Sequence, residues 1–246
     1  MSEEIGLFLI RRSQVRVLPG VPFFAKATNG KPTFRPIDLR LPMRPYPGFL
    51  IVLEGIDGTG KSTQARLLTA ALREEGRRVV LSREPTDGAF GQRLRASANS
   101  GRLSPEEELQ LFLQDRRELV ETLIEPALQG GEIVILDRYF FSTMAYQGAR
   151  GFDPQEIRRV NEEFAPRPDL LLLLDLPIEV ALDRIGIRDG EANEFEQRES
   201  LQKCAKIFHS LQDGFVRIIN ANQSIEATQA SIVTEVRSLL ESDQGS

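Results

Sequence analysis

A short run of glycines followed by a lysine and a serine has the composition and spacing of a phosphate-binding loop. It reads Gly55-Ile56-Asp57-Gly58-Thr59-Gly60-Lys61-Ser62, with Thr63 next, and fits the pattern G-x-x-x-x-G-K-S. The glycines let the backbone curl tightly, so that successive N–H groups point at phosphate oxygens. In such a loop Lys61 reaches the β- and γ-phosphates of a nucleoside triphosphate, and the hydroxyl of Ser62 ligates Mg²⁺. We therefore expect residues 55–63 to bind the phosphates of a nucleotide.

The loop alone does not identify the reaction, because GTPases, ATPase motors and small-molecule kinases all use it. The chain contains no Asn-Lys-x-Asp sequence of the kind that reads guanine, which weakens the GTPase interpretation. Asp57 lies inside the loop, where its carboxylate could accept a hydrogen bond from a substrate hydroxyl or hold a metal-bound water. An ordinary turn aspartate is the alternative interpretation.

A second group of polar residues, Asp137-Arg138-Tyr139, follows an apolar run at residues 133–136. If that run is a buried parallel strand, these residues lie at its carboxyl end, where such folds bind ligands. Arg138 is then placed to meet a phosphate, and Asp137 to support the Mg²⁺ shell. A simple salt bridge among these residues and their neighbours is the alternative. The sequence Arg83-Glu84-Pro85, which follows another apolar run, is expected at the same edge.

Two residues of a long predicted helix favour recognition of a base. Phe112 and Arg116 are four positions apart and therefore share a helix face. There an aromatic ring can stack on a base while the neighbouring guanidinium hydrogen-bonds to it. Taken by itself, a phenylalanine at such a position is more often a core residue.

The elements that position these residues alternate between strands and helices. Strands are predicted at residues 49–53, 79–81, 133–136, 170–175 and 216–219, and the continuous apolar runs at 49–53 and 170–174 are typical of buried parallel strands. Helical patterns lie between and after them, at residues 61–75, 105–128, 154–164, 177–184, 195–213 and 225–241. This alternation predicts an α/β fold with a parallel five-stranded sheet flanked by helices, the architecture of P-loop nucleotide kinases.

The composition argues against several other classes of protein. The chain has 246 residues, 41% of them apolar and 27% charged, and its formal net charge is −5. An acidic protein repels polyanions, so we expect no nucleic-acid partner. The longest apolar runs are strand-length and too short to cross a bilayer, so we expect no membrane partner. A single cysteine, Cys204, does not point to an oxidising compartment, and we expect a cytoplasmic protein.

The N-terminal segment differs from the rest of the chain. Residues 1–48 hold 8 Lys/Arg against 3 Asp/Glu and seven of the 14 prolines, and they show no sustained helical or strand period. We interpret residues 1–47 as a Pro-rich, basic extension that is disordered or results from a start site placed too early, and residues 48–242 as the folded domain. A transit peptide, which the acidic Glu3 and Glu4 argue against, and a functional basic arm are the alternatives.

The peptide Gln14-Val15-Arg16-Val17-Leu18 supports the second explanation. It can be encoded by codons that contain the T-loop of a transfer RNA and its flanking stem. A coding start placed inside an upstream tRNA gene would produce this peptide, and we then expect the true start near Met43.

Taken in order, the motifs resemble those of the thymidylate kinase family. The resemblance covers about residues 48–241 and rests on the following segments: Glu54-Gly55-Ile56-Asp57-Gly58-Thr59-Gly60-Lys61-Ser62-Thr63, Arg83-Glu84-Pro85, Asp137-Arg138-Tyr139, Ser142 and Ala145-Tyr146-Gln147-Gly148. It implies transfer of the γ-phosphoryl group of ATP to dTMP, giving dTDP, with Mg²⁺. It also implies that ATP and dTMP are the small-molecule partners and that the protein is a homodimer.

The resemblance further implies roles for single residues of the acceptor site. Phe112 matches the ring that stacks on thymine, and Arg116 matches the arginine that hydrogen-bonds to the base. Arg138 matches the ligand of the dTMP phosphate. Tyr146 matches the ring beside the deoxyribose, and Gln147 is expected near the base.

Other implied roles concern catalysis and the nucleotide donor. Asp57 matches the loop carboxylate that addresses the sugar 3′-hydroxyl and the reacting phosphates, and Arg83 is assigned to the same site. Family members with glycine at the position of Gly58 take their catalytic arginine from a mobile lid, here about residues 184–196. Arg188 is the first choice, because we expect Gly186 to break the helix before it, and Arg184 is the second. The adenine is expected near residues 220–222.

Two other functions stay open at this point. A related P-loop deoxynucleoside or nucleoside monophosphate kinase either needs no acceptor-phosphate arginine or has a different base pocket, so Arg138 and the Phe112–Arg116 pair distinguish it. A non-catalytic nucleotide-binding regulator has no need to retain the catalytic residues of the loop together with Arg138.

Overall fold

The structure of the protein, a computed structural model, describes residues 45–100, 103–189 and 194–244. For residues 98–100, 187–189, 194–196 and 243–244 the structure describes the backbone alone. The chain separates into two units, Met1–Pro42 and Met43–Ser246, and all described residues belong to the second. The predicted extension, residues 1–47, thus lies almost entirely outside the described residues.

In the described part of the chain, five parallel strands form one sheet in the order β2-β3-β1-β4-β5. The strands are β1 (Phe49–Glu54), β2 (Val79–Arg83), β3 (Ile133–Asp137), β4 (Leu170–Asp175) and β5 (Val216–Asn220). The central strand β1 and its neighbours β3 and β4 are buried along almost their whole length. Burial on both faces explains why these strands are continuous apolar runs and not alternating ones. The predicted parallel α/β sheet is confirmed.

Helices cover both faces of the sheet. They are α1 (Lys61–Glu74), α2 (Ala89–Ser100), α3 (Pro105–Leu119), α4 (Glu125–Gln129), α5 (Phe140–Ala149), α6 (Pro154–Glu162), α7 (Ile178–Asp189), α8 (Glu194–His209) and α9 (Ile225–Gln244). No described helix is both long and apolar enough to span a membrane.

Two helical predictions need correction. The single helix predicted over residues 105–128 is interrupted by a π-helical turn, Val120–Ile124, directly before α4. Pro126 lacks an N–H and crowds the carbonyl four residues earlier, which accounts for the wider turn there. The break expected at Gly186 is wrong, because α7 continues through this residue to Asp189.

The parallel arrangement brings the carboxyl ends of neighbouring strands to one edge. In the β1–β3 register Leu53 lies opposite Asp137, so the loop after β1 and the turn after β3 are adjacent. Every motif described below begins at this edge, as expected for open α/β sheets.

Candidate active site

The phosphate-binding loop occupies the turn between β1 and α1. Gly55, Gly58 and Gly60 all have positive φ angles, 140°, 84° and 90°, which favour glycine. Gly58 is also sterically constrained, because a Cβ atom there would lie 2.7 Å from the backbone oxygen of Ala181 in α7. The loop therefore packs directly against the backbone of the helix that carries the predicted lid arginines.

Lys61 starts α1 and is almost completely buried. Its Nζ donates to the backbone oxygen of Ile56 at 2.7 Å and contacts Thr59 Oγ1 at 3.3 Å. Burial, followed by the neighbouring Arg138, lowers the pKa of Lys61 to about 7, and nearby carboxylates act in the opposite direction. A bound polyphosphate would likewise favour the charged form of the lysine.

Asp57 and Arg138 meet across the loop and the turn after β3. An Arg138 Nη2 donor is hydrogen-bonded to Asp57 Oδ1, and the Tyr146 hydroxyl donates to Asp57 Oδ2 at 2.9 Å. The guanidinium of Arg138 also lies over the Tyr146 ring, 5.2 Å from its centroid. Among the described residues, Arg138 is the one non-glycine residue with a positive φ angle, 73°. Such a conformation at an arginine is typical of a functional site.

Two cavities open on either side of this pair. The larger, of about 340 Å³, is lined by Phe112, Tyr146, Gln147 and other residues of α2, α3, α5 and α8. The smaller, of about 240 Å³, is lined by the phosphate loop, Ser62, Thr63 and Arg184. Asp57 and Arg138 line both cavities. The phosphate loop is thus adjacent to Phe112, Arg138, Tyr146 and Gln147 of the predicted acceptor site.

Arg116 does not line the larger cavity, contrary to the expectation that it faces the base beside Phe112. Its side chain is 0% exposed and forms an ion pair with Glu84 in the turn after β2. Its other donors reach Asn161 Oδ1 at 2.6 Å and Thr143 Oγ1 at 2.9 Å. The helical spacing places both side chains on one face, but the buried carboxylate of Glu84 attracts the guanidinium into the wall behind the cavity.

Arg83 also lies apart from the acceptor cavity. Its side chain is 59% exposed and pairs with Asp87 at 2.7 Å. It lines a separate groove together with Ser62 and Asp137. The adjacent Glu84 and Pro85, in contrast, do line the larger cavity. The motif therefore lines the larger cavity through Glu84 and Pro85, while Arg83 faces the groove beside Ser62 and Asp137.

Asp137 and Ser62 form the part of the site that could hold a metal ion. The Ser62 hydroxyl donates to Asp137 Oδ2, while Asp137 Oδ1 is buried without a hydrogen-bond partner. A buried carboxylate oxygen beside a hydroxyl oxygen matches the ligands that Mg²⁺ prefers. The described residues contain no cluster of three or more His, Cys, Asp or Glu side chains that could hold a metal unaided.

Of the two predicted lid arginines, the structure describes the side-chain contacts of Arg184. Arg184 Nη1 donates to the backbone oxygen of Gly58 at 3.3 Å, and Nη2 donates to that of Ala221 at 3.2 Å. Its guanidinium therefore joins the phosphate loop to the loop after β5. The side chain of Arg188 lies outside the described residues, as do residues 190–193 of the predicted lid.

Sequence reasoning did not assign roles to two buried glutamates at this edge. Glu54 ends β1, and burial raises the pKa of its carboxyl to about 7. Burial also raises the pKa of Glu84, against the opposing effect of Arg116. For Glu54 the available signal was its position directly after an apolar strand run, because a buried carboxylate requires specific partners.

Comparison with known proteins identifies the family. Residues 53–232 match the family model described as thymidylate kinase. A thymidylate kinase from Desulfotalea psychrophila is 50% identical over 196 residues, which are 79% of this chain and 96% of that protein. One from Akkermansia muciniphila is 53% identical over 185 residues, 75% of this chain and 89% of that protein. One from Xanthomonas campestris pv. campestris is 53% identical over 180 residues, 73% of this chain and 79% of that protein. With motifs, fold and matches of this extent in agreement, the chain belongs to the thymidylate kinase family.

Proposed function

We propose that this protein transfers the γ-phosphoryl group of ATP to dTMP, giving ADP and dTDP for dTTP synthesis. As a member of the thymidylate kinase family it is a phosphotransferase. The observation that carries the proposal is the shared border of the two cavities at Asp57 and Arg138. A donor phosphate in the smaller cavity would lie next to an acceptor phosphate in the larger one. In-line transfer requires this adjacency.

ATP occupies the smaller cavity in this proposal. The N–H groups of the loop and the N-terminus of the 14-residue helix α1 offer a site for anionic phosphates. Lys61 supplies the charge nearest to the transferred group. The adenine is placed near residues 220–222, where Arg184 already contacts the backbone of Ala221.

The larger cavity takes dTMP. The partly exposed ring of Phe112 offers a face for stacking, and Gln147 supplies an amide for the base. Tyr146 lies where its ring can border the deoxyribose, with its hydroxyl held by Asp57. Arg138 meets the acceptor phosphate. Arg116 supports this cavity from behind, through Thr143 and Glu84.

The reaction itself needs cations more than it needs a base. An oxygen of the dTMP phosphate bonds to the γ-phosphorus, and the bond from that phosphorus to the β–γ bridging oxygen breaks, so that ADP leaves with the electron pair. The second pKa of a phosphate monoester is about 6, so the attacking oxygen is already anionic near neutral pH. The chain therefore has to position the two phosphates and offset their charge with Lys61, Arg138 and an arginine of the lid.

We assign Mg²⁺ to Ser62 and Asp137. The unpartnered Asp137 Oδ1 supports the assignment, because a bound cation would satisfy this buried oxygen. When bound, Mg²⁺ would offset negative charge on the β- and γ-phosphate oxygens.

We also infer a cytoplasmic homodimer, as the family resemblance implies. Light scattering on the purified protein tests the assembly, and twice the chain mass of 27.6 kDa is the expected result. The mass of a single chain would refute the dimer.

A coupled assay of ADP formation tests the proposed reaction. The assay compares dTMP with dUMP, dCMP and thymidine as acceptors at fixed ATP. We expect dTMP to be the best substrate, and thymidine to be inactive because it lacks the phosphate that Arg138 meets. Preference for thymidine would indicate a deoxynucleoside kinase, and nucleotide binding without turnover on any acceptor would indicate a regulator.

A further inference from the structure

Glu54 is a fully buried carboxylate that lines neither cavity. Its Oε1 accepts from the backbone N–H of Tyr139 at 2.8 Å and from that of Ser142 at 3.0 Å. Its Oε2 accepts from the Ser142 hydroxyl at 2.6 Å. Glu54 thus directs both oxygens at the first turn of α5.

The start of α5 depends on these bonds. The N-cap residue Tyr139 has no side-chain cap of its own, and Ser142 is the third residue of the helix. These two N–H groups are the ones that a capping box satisfies. Glu54, at the end of the neighbouring strand β1, accepts hydrogen bonds from both N–H groups. A negative charge at the N-terminus of a helix is also favourable.

The same contacts lead to Arg138. The Ser142 hydroxyl gives its proton to Glu54 and accepts a hydrogen bond from Arg138 Nη1 at 3.0 Å. The backbone N–H of Arg138 donates to the backbone oxygen of Leu53, the residue before Glu54, at 3.0 Å. Arg138 is therefore fixed from two sides while it keeps its positive φ angle of 73°.

We propose that Glu54 is a positioning residue for phosphoryl transfer: through Ser142 Oγ and the first turn of α5 it holds the Arg138 guanidinium at the border of the two cavities. The inference rests on the proposed role of Arg138 as the ligand of the dTMP phosphate. Glu54 acts through Arg138 and does not touch either substrate.

The substitution Glu54→Gln tests this directly, because it keeps the shape of the side chain. The amide oxygen can still accept from the backbone of α5, but the amide nitrogen donates to Ser142 Oγ and displaces the proton that Glu54 accepted. We expect kcat/KM for dTMP to fall about 10- to 100-fold, since small misplacements of positioned groups cost this much. We expect KM for ATP to stay within about twofold, because the phosphate loop and Lys61 supply most of the proposed contacts to ATP.

Two further variants separate positioning from folding. Ser142→Ala leaves the two backbone hydrogen bonds of Glu54 in place and removes the hydroxyl that bonds to both Glu54 Oε2 and Arg138 Nη1, so we expect a comparable loss for dTMP. Glu125→Gln is the matched control, because Glu125 accepts a hydrogen bond from the Tyr46 hydroxyl at 3.0 Å, away from both cavities. It should leave both substrates unaffected.

Arg138→Ala, alone and combined with Glu54→Gln, distinguishes failure of the Glu54 inference from failure of the proposed role of Arg138. If Glu54 acts through Arg138, adding Glu54→Gln to Arg138→Ala costs little more, because the group being positioned is already absent. The inference is overturned if the loss of kcat/KM for dTMP in the double variant equals the product of the two single losses. It is also overturned if Arg138→Ala is impaired while folded Glu54→Gln and Ser142→Ala proteins have normal dTMP kinetics. Normal kinetics in Arg138→Ala would instead refute the proposed role of Arg138. If Glu54→Gln does not fold, Ser142→Ala alone decides, and its normal activity counts against positioning.

Discussion

Asp57 and Arg138 follow two neighbouring strands, and their side chains form an ion pair at the border of the two cavities. The two residues lie 81 positions apart in the sequence, and the adjacent β1 and β3 strands bring them together. In the proposed reaction the acceptor phosphate shares the guanidinium with Asp57, whose ion pair already orients Arg138 without a substrate. Pre-organisation of this kind is an efficient source of catalysis.

Lys61→Ala should reduce kcat at least ~10²-fold, because the charge of Lys61 acts on the transferring phosphoryl group. The fold should persist, since Nζ contacts only the loop itself. Steady-state kinetics and a thermal melt check both statements. Lys203→Ala, at an exposed position paired with Glu199, is the matched control. A folded Lys61→Ala protein with near-normal turnover would refute the assignment of the loop.

Phe112→Ala should raise KM for dTMP and leave KM for ATP almost unchanged. Base–aromatic stacking is worth roughly 1–3 kcal/mol, which corresponds to about a 5- to 150-fold weakening. Phe112→Tyr keeps the ring and should retain most of the affinity. If both substrates weaken together, or if the protein unfolds, Phe112 is a core residue and the base lies elsewhere.

Arg184 and Arg188 should differ in which kinetic constant they affect. Arg184 is held by the backbone of Gly58 and Ala221, so Arg184→Ala should mainly raise KM for ATP. Arg188→Ala should lower kcat on the order of 10²–10³-fold, by analogy with the 10³–10⁵ that arginine fingers contribute in GTPases. Substrate titrations of both variants provide the measurement. A reversed pattern would transfer the catalytic role to Arg184, and two normal enzymes would leave the lid without a catalyst.

Glu54 should give the stability of the protein a specific pH dependence. Burial raises its folded-state pKa from 4.5 to about 7, although Ser142, Arg138 and Lys61 oppose the shift. A raised folded-state pKa contributes stability that is complete below pH 4.5 and is lost as the pH rises through about 7. Relative to Glu54→Gln, the wild-type protein should lose up to about 3 kcal/mol across this window, at about 1.36 kcal/mol per pKa unit.

Urea unfolding of both proteins across the window measures this difference. Glu106→Gln, at an exposed position of α3, provides the baseline for loss of one surface carboxylate. A constant difference between wild type and Glu54→Gln at every pH would mean that Glu54 is ionised throughout.

Deletion of residues 1–42 should leave both kcat and the melting temperature nearly unchanged. This segment offers no periodic apolar face to bury, and segments of this kind seldom contribute to folding. Differential scanning calorimetry beside the ADP assay provides the comparison. A clear loss of activity or stability would show that the segment is a functional part of the chain.

The strands were predictable from the sequence, but two helices near the site were not. Buried parallel strands appear as uninterrupted apolar runs, and β1, β3 and β4 were located in this way. Helix α5 went unassigned because seven of its 10 residues are buried, so it lacks a polar face and therefore the helical period. Helix α2 also went unassigned, and it contributes Leu94 and Ser97 to the larger cavity.

In the candidate site, too, features set by neighbouring residues were predictable from the sequence, and features set by tertiary contacts were not. The structure places Asp57, Lys61 and Arg138 around the same cavity, because each motif begins where a strand ends. The motif spacing could not locate the Arg116 side chain, because its orientation depends on Glu84, which is 32 positions away in the sequence. Thymidylate kinase family membership and the parallel fold are confirmed, while the roles of single residues stay predictions.

Gly58 constrains how this enzyme could change in evolution. An arginine at this position would supply a catalytic cation from the loop itself, but any side chain there meets the Ala181 backbone at 2.7 Å and needs a strained φ of 84°. If the catalytic cation comes from the lid, as proposed, relocating it to the loop would require the backbone at Ala181 to shift at the same time. We therefore expect a substitution of Gly58 alone to be poorly tolerated, and a lineage with the lid arrangement to retain it even when its lid sequence diverges.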